Sequence, residues 1–186
     1  MARGIIEMQI TIRRATIDDA EVLAALGKKT FFEKWKDTTS SENMKNYLSG
    51  TFTEEKLREE ISDSSVIYLL AEENSVALAY AKLLHTHPDI EVAEQGVNFT
   101  HENPLEVSRI YVAPELIGKN IGARLMEKIF EIAQQEKCDL IWLGVWENNP
   151  ATRFYQRHGF VKAGTHKFIL GEQIDTDWVM IKPCVT

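Results

Sequence analysis

The segment LIWLGVWENNPATRFYQRHGF, residues 140–160, decides the fold. It opens with a continuous apolar run, which is typical of a strand that is covered on both faces. An asparagine-rich turn follows, and Pro150 lies where the first turn of a helix tolerates proline. The segment therefore predicts a strand, a turn, a short helix and a further strand. This arrangement places Asn148 and Tyr155 where a bound ligand could meet them.

The bulk composition predicts one acidic domain. The chain has 186 residues, of which 44% are hydrophobic, and this is enough for one full core and too little for two. We expect a short N-terminal extension, residues 1–7, and a single domain, residues 8–186. The net charge of -7 disfavours nucleic acid and anionic membranes as partners, because both are bound through basic surfaces. It mildly favours a cationic ligand.

The cysteine pattern and the hydropathy predict a soluble cytoplasmic protein. Cys138 and Cys184 are far apart in the sequence and form no CxxC or Cys/His cluster, so we expect reduced, unligated thiols. No apolar run reaches the length of a membrane span or of a secretory signal. His85 and His87 with Asp89 form too weak a pattern to predict a metal site.

Periodicity predicts the remaining elements. The strands share apolar or alternating runs, and they are predicted at 8–14, 66–71, 76–84, 105–112, 160–170 and 177–182. The sequence EENS separates two of them and indicates a hairpin. Helices are predicted to start after Thr16, at Ser40 or Ser41 and at Thr53, and an amphipathic helix is predicted at 122–137. The polar stretch 85–104 is predicted as a long loop that could border a substrate site.

A glycine-containing turn, ELIGKNIGARL at residues 115–125, runs directly into the amphipathic helix. Such a turn presents unpaired backbone N–H groups and the positive end of the helix dipole, so it is a candidate pyrophosphate site. An ordinary turn at a helix start explains the same residues equally well. A Walker A loop is disfavoured because Asn120 follows Gly118 and Lys119, and the chain contains no GxGxxG fingerprint.

A spaced set of residues in the opening segment resembles the C-terminal signature of the GCN5-related N-acetyltransferases (GNAT). Its members are Asn148, Phe154, Tyr155, Gly159 and Phe160, and its small residue stands one place early, at Ala151, before Thr152. The order of the predicted elements is similar to that family over nearly the whole chain. The resemblance implies a mixed α/β fold with a central, mostly antiparallel sheet of about seven strands and about four flanking helices. One parallel crossover would run from the fourth strand through the third helix to the fifth strand.

The resemblance implies acetyl-CoA as co-substrate and no metal, and a homodimer is the assembly expected from the family. The pyrophosphate loop would consist of Gly118, Lys119, Asn120, Ile121, Gly122 and Ala123. The pantetheine arm would pair with the backbone of Ile110, Tyr111 and Val112 and with the side-chain amide of Asn148. The family loop carries Gln or Arg where this chain has Ile117, and Gly where it has Asn120. Asparagine tolerates positive φ, so we expect the turn and cofactor binding to persist.

Two residues are implied to carry the chemistry. Tyr155 matches the tyrosine that protonates the departing CoA thiolate as a general acid. Glu106 lies eleven positions before Ile117, where family members carry a glutamate base, and a carboxylate can deprotonate an alkylammonium directly or through water. The alternative is that Glu106 pairs with a structural cation such as Arg109 or with a surface lysine. The residues that strand alternation predicts on its face are Ser108, Ile110 and Val112.

A closer resemblance is to the PaiA-type spermine/spermidine acetyltransferases. It is carried by LGVWE at 143–147, by Gly164 and His166, and by Thr176 and Asp177. It implies a primary amine of a polyamine as acceptor, whose distal ammonium groups would be received by carboxylates. The acidic candidates, each of which could equally be a solvated surface group, are Glu33, Asp37, Asp89, Glu91, Glu94 and Glu102. The other candidate substrate-binding residues are Trp35, Trp146 and His166.

The leading hypothesis is an acetyl-CoA-dependent N-acetyltransferase that acetylates a polyamine by direct attack in a ternary complex. Two alternatives stay open. One is an acetyltransferase for peptide or protein N-termini or for other small amines. The other is a non-catalytic acyl-CoA-binding regulator, which the changes at Ile117 and Asn120 motivate. A DNA-binding regulator lacks the basic surface that such proteins need.

Overall fold

The structure is a computed structural model that describes residues 9–97 and 101–184. The predicted extension, residues 1–7, lies outside the described residues. The strands are β1 (Thr11–Arg14), β2 (Val66–Glu73), β3 (Val76–Leu84), β4 (Val92–Ala93), β5 (Pro104–Val112), β6 (Leu140–Trp146), β7 (Val161–Leu170) and β8 (Gln173–Pro183). The α-helices are α1 (Ala20–Trp35), α2 (Ser41–Thr51), α3 (Glu54–Ser62), α4 (Ile121–Gln135) and α5 (Thr152–Arg157). The described strands form one sheet in the order β1-β2-β3-β5-β6-β8-β7-β4.

The predicted mixed α/β class is confirmed, and the sheet is antiparallel except where β5 pairs with β6. Two predicted counts differ from the described residues. The helices number five instead of about four, because the start predicted at Thr53 opens a full helix, α3, whose Lys56 N–H donates to Thr53 Oγ1 at 3.1 Å. The strands number eight instead of about seven, because the two-residue strand β4 pairs with β7.

The stretch predicted as a long loop covers part of the sheet. Its short strand β4 pairs with β7, and Ile90 and Val97 pack on Trp142 and Val179 of the strands beneath. Within the described residues, this segment and not a helix covers the sheet over Trp142 and Val179. Hydrophobic periodicity could not reveal β4, since two residues are too few to establish a period.

The predicted β2–β3 hairpin is confirmed by its register, in which Glu73 pairs with Val76. Asn74 and Ser75 both have positive φ, 50° and 65°. This is the geometry of a two-residue hairpin turn that usually carries glycine. The chain forms it with two side-chain-bearing residues, of which asparagine is the better suited to the left-handed region.

The two faces of the sheet are covered by different helices. Helix α4 covers one face, which we call the α4 face, and buries Leu125, Met126 and Ile129 completely. Each such side chain contributes about 1.5 to 3 kcal/mol relative to exposure. Helices α1, α2 and α3 cover the other face, the α1 face, through residues such as Phe31 and Phe52. No helix within the described ranges is long and apolar enough to cross a bilayer.

The central strands β5 and β6 separate soon after they begin. They pair in parallel only between residues 104–106 and 140–142, although β5 continues to Val112 and β6 to Trp146. Each strand keeps its other neighbour, β3 for β5 and β8 for β6. An opening therefore lies between the C-terminal halves of β5 and β6. Backbone groups of β5 that face it have no strand partner among the described residues.

A bulge interrupts β5 at the start of this opening. Leu83 pairs with Val107 and the preceding residue, Lys82, pairs with Arg109. Ser108 is therefore the extra residue of the bulge. An extra residue reverses the faces on which the following side chains point.

The bulge makes the predicted alternation along β5 wrong. Val107, which follows Glu106, packs in the core on the α4 face. Ile110 and Val112 contact that same core, so they lie opposite Glu106 and do not share its face. Ser108 is the inserted residue and belongs to neither series. A one-residue insertion leaves no trace in apolar periodicity, which is why the sequence could not show it.

Helix α3 is tied to the sheet by a buried ion cluster. Glu60 of α3 lies 2.8 Å from Lys82 Nζ and 3.8 Å from Arg109 Nη1, and it accepts a hydrogen bond from Tyr68. The three charged side chains are 10 to 15% exposed. Burial acts to raise the pKa of Glu60, but the hydrogen bonds from Lys82 and Tyr68 outweigh it and hold that pKa below its usual value. One carboxylate thus balances two cations beside the bulge.

Helix α2 anchors the tip of the β7–β8 hairpin. Asn43 Nδ2 donates a hydrogen bond of 2.8 Å to the carbonyl oxygen of Leu170. Gly171, the next residue, has a φ of 62°, and a Cβ there would lie 2.3 Å from Asn43 Oδ1. Only glycine therefore fits both the turn and the contact with α2.

The start of α1 is fixed to β1 by an ion pair that titrates. Both Nη atoms of Arg13 lie 2.8 Å from the Asp19 carboxylate, and the Thr16 N–H donates to Asp19 Oδ2 at 2.7 Å. The Arg13 guanidinium lowers the pKa of Asp19 to about 2, with the Thr16 backbone contributing, against the opposing effect of burial.

We expect this pair to make stability depend on pH. The pKa of Asp19 is lower in the folded chain than in the unfolded chain, so its contribution is full above about pH 4 and is lost as the pH falls toward about 2. With a discount for the partly exposed Arg13, Asp19→Asn should cost about 1 to 2 kcal/mol near neutrality. Urea unfolding between about pH 6 and pH 3 should show this difference shrinking as the pH falls. Asp18→Asn, in the same turn, is the control and should show no such trend.

Candidate active site

The loop before α4 has the geometry of an anion site. Gly118 and Asn120 have positive φ values of 86° and 63°, and residues 117–120 are exposed. Asn120 is the N-cap of α4 in the left-handed conformation. Asparagine tolerates that conformation better than other side chains do, so the turn persists without a glycine at this position. The first N–H groups of α4 have no intrahelical acceptors and can donate to a phosphate.

The predicted loop residues contribute to this site in different ways. Ile117 is 73% exposed, and its side chain offers no hydrogen bond to a ligand. Lys119 is exposed beside it and is the cation of the loop. Ile121 is 1% exposed and anchors α4 in the core, so only its backbone can reach a ligand. Ala123 is half-buried one turn further on.

Three segments converge at the opening between β5 and β6. A Cβ on Gly122 at the start of α4 would lie 3.6 Å from Val112 of β5 and 3.7 Å from Phe154 of α5. Ile110, Tyr111 and Val112 are half-buried along the same edge. Unpaired backbone groups in an opening of this kind fit the amide-containing pantetheine arm of acetyl-CoA, because they can satisfy its donors and acceptors. The loop before α4 fits the pyrophosphate of the same molecule.

Tyr155 reaches this opening from the α4 face. It is 8% exposed and packs edge-on against Phe154 and Phe160, at centroid distances of 5.3 Å and 6.0 Å. Burial raises the pKa of Tyr155 well above its ordinary value, and the nearby Tyr111 adds to the increase. Tyr111 packs on the α1 face, so the two phenols approach the opening from opposite sides of the sheet. The Tyr155 phenol stays protonated across the physiological range.

The turn between β6 and α5 holds its two asparagines differently. Asn149 Oδ1 accepts hydrogen bonds from the Ala151 N–H at 3.0 Å and from Lys34 Nζ at 3.1 Å, which ties the turn to α1. Asn148 is exposed next to it. The fixed turn therefore presents the Asn148 amide at the C-terminal end of β6.

Glu106 lies in the part of β5 that is still paired with β6. It is the register partner of Trp142 on β6, and Glu106 Oε2 accepts a hydrogen bond of 2.5 Å from Thr86 Oγ1. The Thr86 carbonyl in turn accepts a hydrogen bond of 2.7 Å from Trp142 Nε1. Arg109 does not pair with Glu106, since it lies in the cluster with Glu60, but Lys82 of that cluster is near enough for the Glu106 charge to act to raise its pKa against burial.

A cleft on the α1 face lies where β5 and β6 have separated. We call it the aromatic cleft and define it by Trp35, Tyr111, Gly144, Trp146, His166 and Asp177. Trp35 Nε1 donates to Tyr111 OH at 3.3 Å, and the Trp35 ring meets that of Trp146 edge-on at 5.8 Å. Trp35, the last residue of α1, thus spans the gap between the two strands.

The floor and the polar side of the aromatic cleft lie on β6, β7 and β8. Gly144 is exposed, whereas its neighbours Leu143 and Val145 are buried. A Cβ on Gly144 would lie 2.9 Å from His166 Nε2 and 3.5 Å from Asp177 Oδ2. The lack of a side chain at this position therefore leaves space for the imidazole and opens the floor to solvent.

Two of the acidic candidates are paired with cations of the protein. Glu33 lies 2.8 Å from Lys36, and Glu94 lies 2.7 Å from Lys162. Asp37 is exposed beside Lys36. These three carboxylates already have a neighbouring ammonium group of the protein, so the structure does not single them out as binding groups for a substrate ammonium.

The structure brings two other acidic candidates toward His166. Asp177 raises the pKa of His166 most, burial opposes this increase, and Asp89 and Glu91 then add to it. The negative field of the aromatic cleft thus extends from Asp177 to the segment before β4. Glu102 is exposed, and its N–H binds Asp139 elsewhere.

Sequence reasoning missed Asp177, Gly144 and the side chain of Tyr111 as parts of a site. A signal for Asp177 was present. The two-residue turn after Leu170 fixes the register of the closing hairpin and pairs His166 with Asp177. Tyr111 and Gly144 carry no such signal, because their exposure follows from the separation of β5 and β6.

Comparison with known proteins places the chain in a family. Residues 29–160 match the model of the Acetyltransferase (GNAT) family. An uncharacterized N-acetyltransferase from the pepI 3' region of Lactobacillus delbrueckii subsp. lactis is 30% identical, with 95% of this chain and 98% of that protein covered. A spermidine N(1)-acetyltransferase of Thermoplasma acidophilum is 25% identical, with 82% of this chain and 89% of that protein covered.

A solved structure shows the same fold. It is the PaiA N-acetyltransferase from Thermoplasma acidophilum in complex with coenzyme A, with a TM-score of 0.76 and 23% identity. The superposition covers 95% of this chain and all of that one. The chain therefore belongs to the acetyltransferase (GNAT) family and is an N-acetyltransferase that uses acetyl-CoA as its donor.

Proposed function

We propose that this enzyme transfers the acetyl group to a primary amine of a polyamine such as spermidine or spermine, by direct attack in a ternary complex. The observation that carries the proposal is the aromatic cleft. Trp35 joins Tyr111 of β5 to Trp146 of β6 where these strands have separated, and the Asp177 carboxylate and the His166 imidazole lie over the exposed Gly144. The faces of aromatic rings attract alkylammonium groups by about 0.5 to 2 kcal/mol each.

The charge around the cleft favours an acceptor with more than one ammonium group. Asp177 can hold the reacting amine through charge-assisted hydrogen bonds. Asp89 and Glu91 lie close enough to act on the same imidazole as Asp177, so they extend the negative field outward. A distal ammonium of a polyamine can occupy this outer field. A monoamine has no group to place there.

The donor side supplies the remaining roles. Acetyl-CoA, when bound, provides the activated acetyl thioester. The N–H groups at the start of α4, with Lys119, hold its pyrophosphate, and the β5 backbone at Ile110, Tyr111 and Val112 holds the pantetheine arm and polarises the acetyl carbonyl. The Asn148 amide binds the arm from the β6 side. Tyr155 donates its phenolic proton to the departing thiolate.

The comparisons support the polyamine class without deciding it. A spermidine acetyltransferase is among the relatives, and a PaiA acetyltransferase is among the structures with the same fold. The family spacing predicts Glu106 as one candidate base. The aromatic cleft offers a second acceptor for the ammonium proton.

Thiol release measured over an amine panel tests the proposed acceptor. The panel contains spermidine, spermine, n-butylamine, free amino acids and short peptides. We expect kcat/KM for spermidine to exceed that for n-butylamine by about tenfold or more, the effect of one distal contact of about 1.4 kcal/mol. Trp146→Leu should raise KM for spermidine about tenfold by removing one ring from the cleft.

The dissociation constant of acetyl-CoA, measured by calorimetry, is the internal control and should not change in Trp146→Leu. Turnover of peptides alone would remove the polyamine assignment and leave an N-terminal acetyltransferase. Binding of acetyl-CoA with no turnover of any amine would favour the alternative of a non-catalytic acyl-CoA-binding regulator.

We also propose a cytoplasmic location. Cys138 and Cys184 are both free, and both lie next to Asp139. Burial raises the pKa of the Cys138 thiol to about 11 and that of the Cys184 thiol above its usual value. Two neighbouring free thiols are typical of a reducing compartment.

A further inference from the structure

His166 has an imidazole nitrogen that the fold leaves without a hydrogen bond. Its Nε2 atom is buried, and no partner within hydrogen-bond distance exists among the described residues. The nearest carboxylate oxygen, Asp177 Oδ2, is 3.7 Å away. The two side chains are 18% and 14% exposed. A buried polar atom without a hydrogen bond costs about 1 to 3 kcal/mol, and this one faces a carboxylate that lies just beyond hydrogen-bond distance.

The unpartnered nitrogen lies over the floor of the aromatic cleft. Gly144 beneath it is two residues beyond Trp142, the last residue of β6 that pairs with β5. His166 on β7 and Asp177 on β8 are register partners, so the hairpin holds both side chains over the same strand. Trp146, the register partner of Asp177 on β6, joins the pair to the aromatic wall.

We propose that Asp177 and His166 form the acceptor-side proton-transfer pair, in which Asp177 holds the substrate ammonium and His166 Nε2 takes its proton. The inference rests on the proposed function as an amine acetyltransferase. An ammonium group has no lone pair, so it must lose one proton before its nitrogen can attack. Nε2 has no hydrogen bond within the described residues and faces the Asp177 carboxylate at 3.7 Å, so the two side chains supply what this step needs, a proton acceptor and an anion that binds the cation.

The step balances as follows. The neutral imidazole takes one proton from R–NH3⁺, leaving R–NH2. The amine nitrogen then forms a bond to the acetyl carbon as the bond from that carbon to sulfur breaks, and the thiolate takes the proton of Tyr155. The nitrogen loses its second proton as the amide forms, and this proton restores the Tyr155 phenol. His166 returns its own proton to solvent.

The charges around His166 suit this task. Asp177 of β8 raises the pKa of the imidazole, burial opposes the increase, and Asp89 and Glu91 beside β4 add to it. From β6, Gly144 faces the ring without a charge. A base with a pKa shifted upward toward the working pH removes an ammonium proton more readily than an ordinary imidazole does.

Glu106 is placed less favourably for the same step. Its carboxylate already accepts a hydrogen bond from Thr86, and it lies beside Trp142 in the paired part of the strands. His166 Nε2 lies over Gly144, two residues beyond the end of that pairing. The two candidate bases are therefore separable by substitution.

The experiment compares His166→Gln, Asp177→Asn and Glu106→Gln by kcat/KM between about pH 6 and pH 9, with spermidine and with n-butylamine. We expect His166→Gln to lower kcat/KM about 100-fold at neutral pH and to abolish the acidic limb of the profile. Asp177→Asn should raise KM and move that limb to lower pH, because the carboxylate that raises the imidazole pKa is gone. Glu106→Gln should keep the limb.

Controls separate a chemical role from a structural one. Free imidazole should restore turnover to His166→Gly, which a merely structural histidine would not allow. The acetyl-CoA dissociation constant should match wild type in every variant. A His166→Gln enzyme within about threefold of wild type with its acidic limb intact overturns the inference, as does loss of that limb in Glu106→Gln.

Failure of the acceptor assignment is distinguishable from failure of this inference. If n-butylamine is acetylated and spermidine is not, the polyamine proposal falls, and the pair is judged with n-butylamine. If neither amine is acetylated, NMR titration of the His166 imidazole decides. The proposed pair predicts that the pKa of the His166 imidazole falls when the enzyme is saturated with n-butylamine in the presence of coenzyme A. An unchanged pKa overturns the inference.

Discussion

Replacing Tyr155 with phenylalanine is expected to lower kcat by about 100-fold to 10,000-fold, the usual contribution of a positioned general acid. Burial and the nearby Tyr111 keep the Tyr155 phenol protonated, so it arrives at each turnover with a proton to donate. Without that donor, the thiolate must leave as an anion in an enclosed site. Steady-state thiol release should show the loss in kcat with little change in KM for either substrate.

The matched control is Tyr80→Phe, which removes the same hydroxyl group elsewhere. Tyr80 is 1% exposed, and its phenol has no hydrogen-bond partner among the described residues. Removing that hydroxyl group should leave kcat unchanged and should not lower stability, because no bond is lost. The acid assignment of Tyr155 is wrong if both variants keep wild-type kcat at every pH.

Replacing Glu60 with alanine is expected to lower the free energy of unfolding by about 3 to 5 kcal/mol, which is a large part of the stability of a typical domain. The substitution leaves Lys82 and Arg109 buried without their shared carboxylate. The cost arises from the two unpaired charges more than from the lost attraction. Denaturant unfolding at neutral pH measures it.

Two further variants test the cause of that loss. Glu59→Ala removes an exposed ion pair from the same helix, where Glu59 is 71% exposed and 3.4 Å from Lys56, and should cost no more than about 1 kcal/mol. The double variant Glu60→Leu with Lys82→Met should recover part of the loss, since it removes one cation together with the anion. Equal costs for Glu60→Ala and Glu59→Ala would show that the cluster is not effectively buried.

Most of the fold could be predicted because its elements are long enough to show a period. The run that became β6, the amphipathic α4 and the β2–β3 hairpin each carry local signals of strand, helix or turn. Ser108 and β4 could not be predicted, because one inserted residue and a two-residue strand are shorter than any period. Tertiary pairing decides both features.

The donor side was more predictable than the acceptor side. The loop before α4 is continuous in sequence, so the left-handed Asn120 and the helix start could be predicted from adjacent residues. The aromatic cleft instead collects Trp35 from α1, Gly144 from β6 and Asp177 from β8. With Tyr111 from β5 and His166 from β7, the cleft draws on five elements, and no short motif describes such a site. Only the hairpin register linked two of its members in advance.

The contact between Asn43 and the tip of the β7–β8 hairpin bears on how acceptor preference can be re-engineered. His166 and Asp177 lie on a contiguous ribbon that follows the donor-binding segments in the chain, so the ribbon is a natural unit for grafting between homologous enzymes. Its outer end is held by the hydrogen bond from Asn43 to Leu170 and by the close approach of Gly171. A transplanted ribbon must therefore bring a glycine at its bend and an accepting carbonyl before it. Chimeras that keep this contact with Asn43 should exchange amine preference while retaining the parental affinity for acetyl-CoA.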